Sequence, residues 1–144
     1  MSRTFDVRPE PAVVVGYLKD FSNAEEWDPG TETCTRTDTG PVAVGSTWHN
    51  VSKIAGVSTE LDYRLESLSE DTIVFQGHNA SATSTDTITV VPNPEGSGSR
   101  VTYKANIEMK GMAKLADPVM KLVFEKVGSD TEDDMVTVLN RLDG

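Results

Sequence analysis

The strongest constraint on the fold is a long helical pattern near the end of the chain, between Ala116 and Leu142. Asp117 and Pro118 are typical of a helix start, because aspartate caps the first turn and proline needs no hydrogen-bond partner at the first helical position. Small or apolar side chains then recur every three or four residues, at Met120, Phe124, Val127, Thr131, Met135, Val138 and Leu142. This spacing predicts one helix, about 38 Å long, with a wide apolar face that needs a large partner surface.

Most of the preceding chain has the pattern of β-strands. A first strand is predicted at residues 4–8, followed by a short helix at 12–20 and a second helical turn at NAEEW, capped by Ser22. Six further strands are predicted at residues 32–39, 46–54, 57–68, 72–78, 82–91 and 100–110. Because the later connections are short, the sheet should be antiparallel.

This element order predicts a single α+β domain covering residues 1–144. We expect a curved antiparallel sheet of about seven strands, wrapped around the long C-terminal helix, with two short helices after strand one. Alternation within two strands indicates one apolar and one polar face of the sheet. The apolar face would carry Thr59, Leu61, Tyr63 and Leu65 from one strand, and Val101, Tyr103, Ala105, Ile107 and Met109 from the last. A cavity would remain wherever sheet and helix do not touch.

Composition narrows the classes of partner. Acidic residues outnumber basic ones 23 to 13, for a net charge of −10, which argues against nucleic acid and anionic membrane surfaces as partners. Cys34 is the only cysteine, so no internal disulfide can form. The first residues lack a secretory pattern, and the longest apolar run, AVVVGYL, is too short to insert into a membrane. We therefore expect a cytoplasmic location, while the oligomeric state stays open.

The sequence lacks the usual motifs for metal or nucleophilic chemistry. Its two histidines, His49 and His78, occur without an HExxH or paired-cysteine pattern, so we expect no metal and no other cofactor. The GSGS at 96–99 lacks the lysine of a phosphate-binding loop and fits a hairpin connection better. No GxSxG nucleophile motif is present. The catalytic residues, if there are any, are therefore unknown at this stage.

Four segments in order resemble a known family: DFSNAEEWDPG, GPVAVGSTW, DTITVVPNPEGSGSRVTYKANIEMKG and ADPVMKLVFEKVG. The chain is similar to the polyketide cyclase/dehydrase-like branch of the START-like (SRPBCC) superfamily, whose members share the helix-grip fold. The resemblance implies an apolar ligand cavity between the sheet and the long helix. It places Trp27, Trp48, Tyr63, Tyr103 and the start of that helix around the cavity. This fold hosts carriers, cyclases and hydrolases, so it does not identify the function.

Asp86 is the most informative polar residue. In the strand at 82–91 it shares a phase with Ile88 and Val90, so its carboxyl group should point to the apolar face. A buried carboxyl group must be hydrogen-bonded or have a raised pKa, and either state suits a ligand anchor or a general base. The alternatives are a bulge that breaks the phase, or a purely structural hydrogen bond to a hydroxyl group.

Other polar and flexible side chains leave their roles open. Asn50 shares a face with Trp48, and would then be either a polar group of the pocket or a satisfied core amide. A solvent-facing position is favoured for His78. The methionines Met109, Met112 and Met120 cluster where the last strand leads into the helix, and suit either an adaptable ligand mouth or ordinary core packing.

These observations favour a domain that binds an apolar or aromatic, lipid- or polyketide-like small molecule. The alternative is an enzyme of the aromatic polyketide cyclase or dehydratase type, with Asp86, Tyr63 or His78 moving protons. A third hypothesis is a module whose groove binds an apolar segment of a partner protein. The predicted ligand-binding residues are Trp27, Trp48, Asn50, Tyr63, Phe75, Asp86, Ile88, Tyr103, Met112, Met120 and Phe124.

Overall fold

A computed structural model describes residues 1–54, 56–109 and 118–142 of the chain, with the side chains of residues 1–53, 56–109 and 126–142. The strands are β1 (Ser2–Val7), β2 (Thr31–Arg36), β3 (Thr47–Ile54), β4 (Val57–Leu68), β5 (Thr72–His78), β6 (Ala82–Pro92) and β7 (Ser99–Met109). The helices are α1 (Pro11–Leu18), a 3-10 turn (Phe21–Asn23), α2 (Ala24–Trp27) and α3 (Pro118–Leu139). No helix within these ranges is long and apolar enough to cross a membrane.

The seven described strands form one antiparallel sheet in the order β1-β7-β6-β5-β4-β3-β2. From β2 to β7 each strand pairs with the next in sequence, as the short connections predict. The exception is β1, which pairs with the last strand, so that Phe5 lies opposite Val101. The predicted α+β class, the antiparallel sheet, the two short helices after β1 and the long C-terminal helix are all confirmed.

Strand β6 shows most clearly how the sequence defines two faces. Its alternate residues Ala82, Ser84, Asp86, Ile88 and Val90 are buried, and the residues between them are partly exposed. We call the face that carries these buried residues the inner face, since the hydrophobic core and the helices lie on it. The opposite side is the outer face. The bounds predicted for β4 and β5 are correct to the residue.

The cap of the second helical turn differs from the prediction. Helix α2 has Asn23 at its N-cap, without a side-chain hydrogen bond, and it is the preceding 3-10 turn that Asp20 caps: the Asp20 carboxylate accepts hydrogen bonds from the Ser22 backbone N–H at 3.0 Å and from the Ser22 hydroxyl group at 2.8 Å. A carboxylate can accept both bonds at once, whereas the serine here acts as their donor. This cap starts the 3-10 turn, which is why α1 ends at Leu18 rather than at residue 20.

Helix α3 begins at the predicted proline but ends at Leu139, three residues before the predicted end. Beyond it, the N–H groups of Arg141 and Leu142 bond to carbonyl groups three residues earlier, which tightens the chain into a turn. Arg8 holds this turn, because its guanidinium group donates to the Asn140 carbonyl oxygen at 3.0 Å and its backbone N–H donates to Asn140 Oδ1 at 2.8 Å. The guanidinium group thus gives the Asn140 carbonyl oxygen a donor in place of the N–H group that a longer helix would supply.

The buried stripe of α3 is also shifted from the prediction at its end. Thr131 and Met135 are buried as expected, and the next buried residue is Leu139. The predicted Val138 is only partly buried. The steps of four from 131 to 139 follow the 3.6-residue helical period more closely than a step of three at this point.

An aromatic cluster fills the core beneath the sheet. The ring of Phe21 lies 4.4 Å from that of Phe75, 4.5 Å from Tyr63 and 6.1 Å from both Trp27 and Trp48, measured between ring centroids. Such tilted and edge-on contacts stabilise a core beyond the area they bury. The 3-10 turn that carries Phe21 is therefore anchored to the middle of the inner face.

Candidate ligand site on the inner face of the sheet

The inner face becomes progressively more exposed toward one end of the sheet. Ile73 and Ile88, paired across β5 and β6, are completely buried. One row further along, Asp86 is 5% exposed, and at the far end of β7 Ile107 and Met109 are 40% and 37% exposed. Apolar side chains on the inner face are thus accessible at the end where β4 and β6 begin and β5 and β7 end. We call this end the open end.

Asp86 lies on the inner face between the closed core and the open end. Burial, followed by the charge of Asp28, raises the pKa of Asp86 to about 7, and a hydrogen bond with Tyr103 opposes the shift. The Asp86 carboxyl group therefore changes its protonation state near neutral pH. The inward position of Asp86 confirms the predicted phase of β6. Its hydrogen bond with the Tyr103 hydroxyl group also fits the alternative in which Asp86 has a purely structural role. Such a group can donate or accept a proton, or anchor a polar ligand atom.

Asp28, in the loop after α2, is a second acid near the site. Its carboxylate accepts hydrogen bonds from the Gly30 backbone N–H at 3.1 Å and from the Thr31 hydroxyl group at 2.9 Å. Burial nevertheless raises the pKa of Asp28, and the charge of Asp134 on α3 adds to the shift. The loop after α2 and the strand β6 thus bring two carboxyl groups close enough to influence each other.

Tyr63, Gly77 and Ser84 form one row across β4, β5 and β6. A Cβ atom at Gly77 would be only 2.6–2.8 Å from three ring atoms of Tyr63, so the ring lies directly over the glycine. Beyond the glycine, the Tyr63 hydroxyl group hydrogen-bonds with Ser84. Burial and the Asp86 charge raise the pKa of Tyr63 well above its usual value, so its phenol group stays protonated. Gly77 therefore leaves room for a tyrosine hydroxyl group beside Asp86.

Trp27 places a buried hydrogen-bond donor near the site. Its side chain is completely buried, and its ring packs edge-on against Tyr103 with 5.6 Å between centroids. Within the described part of the structure, the Trp27 Nε1–H makes no hydrogen bond. A buried donor of this kind is rare in folded proteins and calls for an explanation. Trp27 and Asp86 therefore both interact with Tyr103.

The remaining predicted ligand-binding residues on β3, β5 and β6 lie deeper or are already hydrogen-bonded. Trp48, Phe75 and Ile88 are completely buried in the core. The Trp48 indole N–H donates to Asp20 Oδ1 at 3.3 Å and to Ser22 Oγ at 3.2 Å. In a ligand site, these three side chains would support the wall from behind.

Asn50 faces inward, as its phase with Trp48 predicts, and is buried. Its amide group donates to Thr31 Oγ1 at 3.2 Å, and its carbonyl oxygen accepts from Ser52 Oγ at 2.6 Å. The bonds fit the alternative of a satisfied core amide. The neighbouring Cys34 thiol has its pKa raised to about 12, mainly by burial, and so stays protonated.

The other residues singled out from the sequence fall into two groups. Met112 lies outside the described residues, and Met120 and Phe124 belong to α3 but lie outside the described side chains. His78 is exposed on the outer face, as expected. His49, also on the outer face, bonds to Asp62 at 2.8 Å and Glu60 at 2.9 Å, and these carboxylates raise the pKa of His49. The described His, Cys, Asp and Glu side chains form no group of three able to hold a metal ion.

Sequence reasoning missed Phe21, Asp28, Gly77 and Ser84. The inward direction of Ser84 could have been predicted, because Ser84 precedes Asp86 by two residues and so lies on the same face of β6. The position of Asp28 depends on how the loop after α2 packs. The contact between Gly77 and Tyr63 depends on the register of β4 against β5. Neither can be obtained from local periodicity.

Comparison with known proteins agrees with this architecture. A profile of the family described as "Polyketide cyclase / dehydrase and lipid transport" matches residues 1–140. No curated protein sequence gives a significant match.

Solved structures share the fold at low sequence identity. A START superfamily protein from Mycobacterium smegmatis is 14% identical, with a TM-score of 0.79 over 98% of this chain and 97% of the other. The Zhui aromatase/cyclase from Streptomyces sp. R1128 is 12% identical, with a TM-score of 0.79 over 98% and 93%. The major latex-like protein 151 from Panax ginseng is 13% identical, with a TM-score of 0.72 over 96% and 95%.

The element order, the sheet topology and the family match over nearly the whole length of the chain lead to one conclusion. The chain belongs to the polyketide cyclase/dehydrase and lipid transport family, and it has the helix-grip fold of the START-like superfamily.

Proposed function

We propose that this protein binds an apolar or aromatic small molecule between the inner face of its sheet and the C-terminal helix. The observation that carries the proposal is the gradient of exposure along the inner face. Apolar residues such as Ile107 and Met109 are accessible at the open end, while Tyr63, Asp86 and Tyr103 supply polar groups further in. An apolar surface with a few convergent polar groups is typical of small-molecule sites.

The family assignment supports the same class of ligand. Its description combines polyketide cyclisation with lipid transport, and both activities require a site for a mostly apolar molecule. The chain's own groups suggest how such a molecule would be oriented. Its polar atoms would lie near Asp86 and Tyr103, and its apolar part would extend toward Leu61, Ile107 and Met109.

The experiment that tests binding is native mass spectrometry of the protein purified from its own source, followed by thermal unfolding. We expect a retained small molecule that raises the melting temperature when it is added back to stripped protein, because ligands that bind only the folded state stabilise it. If no small molecule is retained, and a panel of fatty acids, sterols and polyaromatic compounds leaves the melting temperature unchanged, the proposal is contradicted.

A second candidate function is an enzyme of the aromatic polyketide cyclase or dehydratase type, and one observation favours it. The Asp86 pKa of about 7 is close to the operating pH that suits a general acid or base. As a carboxylate, Asp86 would take a proton from a carbon atom between two carbonyl groups of a bound chain. The protonated hydroxyl groups of Tyr63 and Tyr103 would stabilise the resulting enolate oxygen.

Replacing Asp86 by Asn separates the two functions. An enzyme would lose about 10²–10⁴-fold in turnover while ligand affinity changes little. A binding protein would have no turnover to lose, and its affinity would fall by about 1–3 kcal/mol if Asp86 anchors the ligand. The measurements are a product assay and calorimetry on the same retained molecule. Turnover in the wild-type protein that the Asn variant lacks would favour the enzyme.

A further inference from the structure

We propose that the site selects its ligand by charge, accepting an uncharged ring hydroxyl group that bridges Trp27 Nε1 and Asp86, and rejecting carboxylates. This inference rests on the proposed function, since it names the ligand class that the same site would take. It uses Trp27 and Asp86, which both interact with Tyr103: the ring of Trp27 packs edge-on against that of Tyr103, and Asp86 hydrogen-bonds with Tyr103.

The first step is the unpaired indole N–H of Trp27. The hydrogen bond that this donor makes to water in the unfolded chain is lost on burial, and the described residues supply no replacement. A ligand oxygen atom that accepts from Nε1 would restore the lost bond. The donor therefore favours a ligand with an acceptor at this position.

The second step is the unused capacity of Asp86. A carboxyl group has two oxygen atoms, and the hydrogen bond with Tyr103 occupies only part of their capacity. A ligand hydroxyl group can accept from Trp27 and donate to Asp86 at the same time. An ether or a hydrocarbon cannot make both bonds.

The third step is the negative charge already present. Asp86 is influenced by the charge of Asp28, and Asp28 in turn by that of Asp134 on α3. Arg3 is a cation that lies opposite Tyr103 in the pairing of β1 with β7, and its guanidinium group lies against Gly128 of α3. A ligand carboxylate at the bridging position would bring a further negative charge to a poorly solvated place beside these acids, and it could approach Asp86 only in the protonated form of that residue, so anions should be rejected.

Calorimetry at neutral pH with naphthalene, 2-naphthol and 2-naphthoate tests the proposal, because the three probes share one ring system. We expect 2-naphthol to bind about tenfold tighter than naphthalene, and 2-naphthoate to bind more weakly than naphthalene. In Trp27→Phe, which keeps an aromatic ring but removes the N–H, the advantage of 2-naphthol should fall to about threefold or less. In Asp86→Asn, 2-naphthoate should gain about tenfold.

The matched control is Asp133→Asn, which makes the same chemical change at an exposed position of α3 and should leave all three affinities unchanged. In case Trp27→Phe does not fold, indole ¹⁵N–¹H spectra of the wild-type protein give a second test. The Nε1–H signal of Trp27 should shift with 2-naphthol but not with naphthalene. The signal of Trp48, which is already hydrogen-bonded, should move with neither.

The outcomes separate the two proposals. Naphthalene binding without any preference for 2-naphthol, or 2-naphthoate binding as tightly as 2-naphthol, would overturn charge selection while leaving a general apolar site intact. An unchanged Trp27 signal at saturating 2-naphthol would overturn the bridging bond. Failure of all three probes to bind would contradict both proposals.

Discussion

At the scale of single residues, Asp86 should control how stability depends on pH. Its pKa is about 7 in the folded protein, whereas an aspartate in an unfolded chain titrates near pH 4. Between these values the folded state binds more protons than the unfolded state. The free energy of unfolding should therefore fall as pH rises through this window.

Asp86→Asn removes this contribution and keeps the size of the side chain. The wild-type protein should lose stability relative to the variant by about 1 kcal/mol per pH unit between pH 5 and 7. Urea denaturation of both proteins across this range measures the difference. Asp133→Asn is the control and should run parallel to the wild type. A difference for Asp86→Asn that does not vary with pH would contradict the buried, shifted carboxyl group.

Gly77 offers a residue-scale test of how Tyr63 is positioned. A methyl group at residue 77 would collide with the Tyr63 ring, so Gly77→Ala should destabilise the fold by about 1–3 kcal/mol through overpacking. The matched control is Gly16→Ala in α1, where a Cβ atom meets nothing within 4 Å and should stabilise the helix by about 0.5–1 kcal/mol. Equal effects of the two substitutions in denaturant unfolding would count against the close contact.

The sequence predicted some of these residues and not others, for a physical reason. Alternation within a strand is a local property, so the inward direction of Asp86 and Tyr103 could be predicted before any fold was known. The pKa of Asp86 depends on Asp28, which lies on a different element. Whether the Trp27 N–H finds a hydrogen-bond partner among the described residues depends on all the side chains that pack around it. Properties of this kind arise only when distant segments pack together.

At the scale of elements, the long helix and the strands were predictable in type but less so at their ends. Helix α3 begins where Pro118 predicts, because proline acts through its own covalent structure. It ends early because Arg8, far away in sequence, holds the turn at Asn140. Strands β4 and β5 have the predicted bounds because glycine, serine and asparagine mark the turns around them.

The buried stripe of α3 should carry much of its stabilisation. Met135→Ala removes a completely buried side chain and should destabilise the fold by about 2–5 kcal/mol. Val127 is only partly buried, so Val127→Ala should cost less. Thr137→Ala on the exposed side is the control, within about 0.5 kcal/mol of the wild type. Equilibrium denaturation that finds Met135→Ala no worse than Thr137→Ala would contradict the packing of α3 against the core.

At the scale of the whole molecule, one sheet provides both the core and the candidate site. Pairing of β1 with β7 joins the first strand to the last and fixes the sheet on which α3 packs. The aromatic cluster around Phe21 closes one part of the inner face. The open end, with Ile107 and Met109, is left accessible. The account therefore predicts binding on the inner face and none on the outer face.

The measurement that tests this claim most directly is methyl NMR of the labelled protein during titration with 2-naphthol. The account predicts saturable shifts for the methyl groups of Leu61, Ile107 and Met109 on the inner face. The methyl groups of Val51, Val74 and Val91, which alternate with inward residues and face outward, should stay unchanged. Shifts confined to the outer-face valines, or an unchanged spectrum at millimolar ligand, would contradict a ligand site on the inner face.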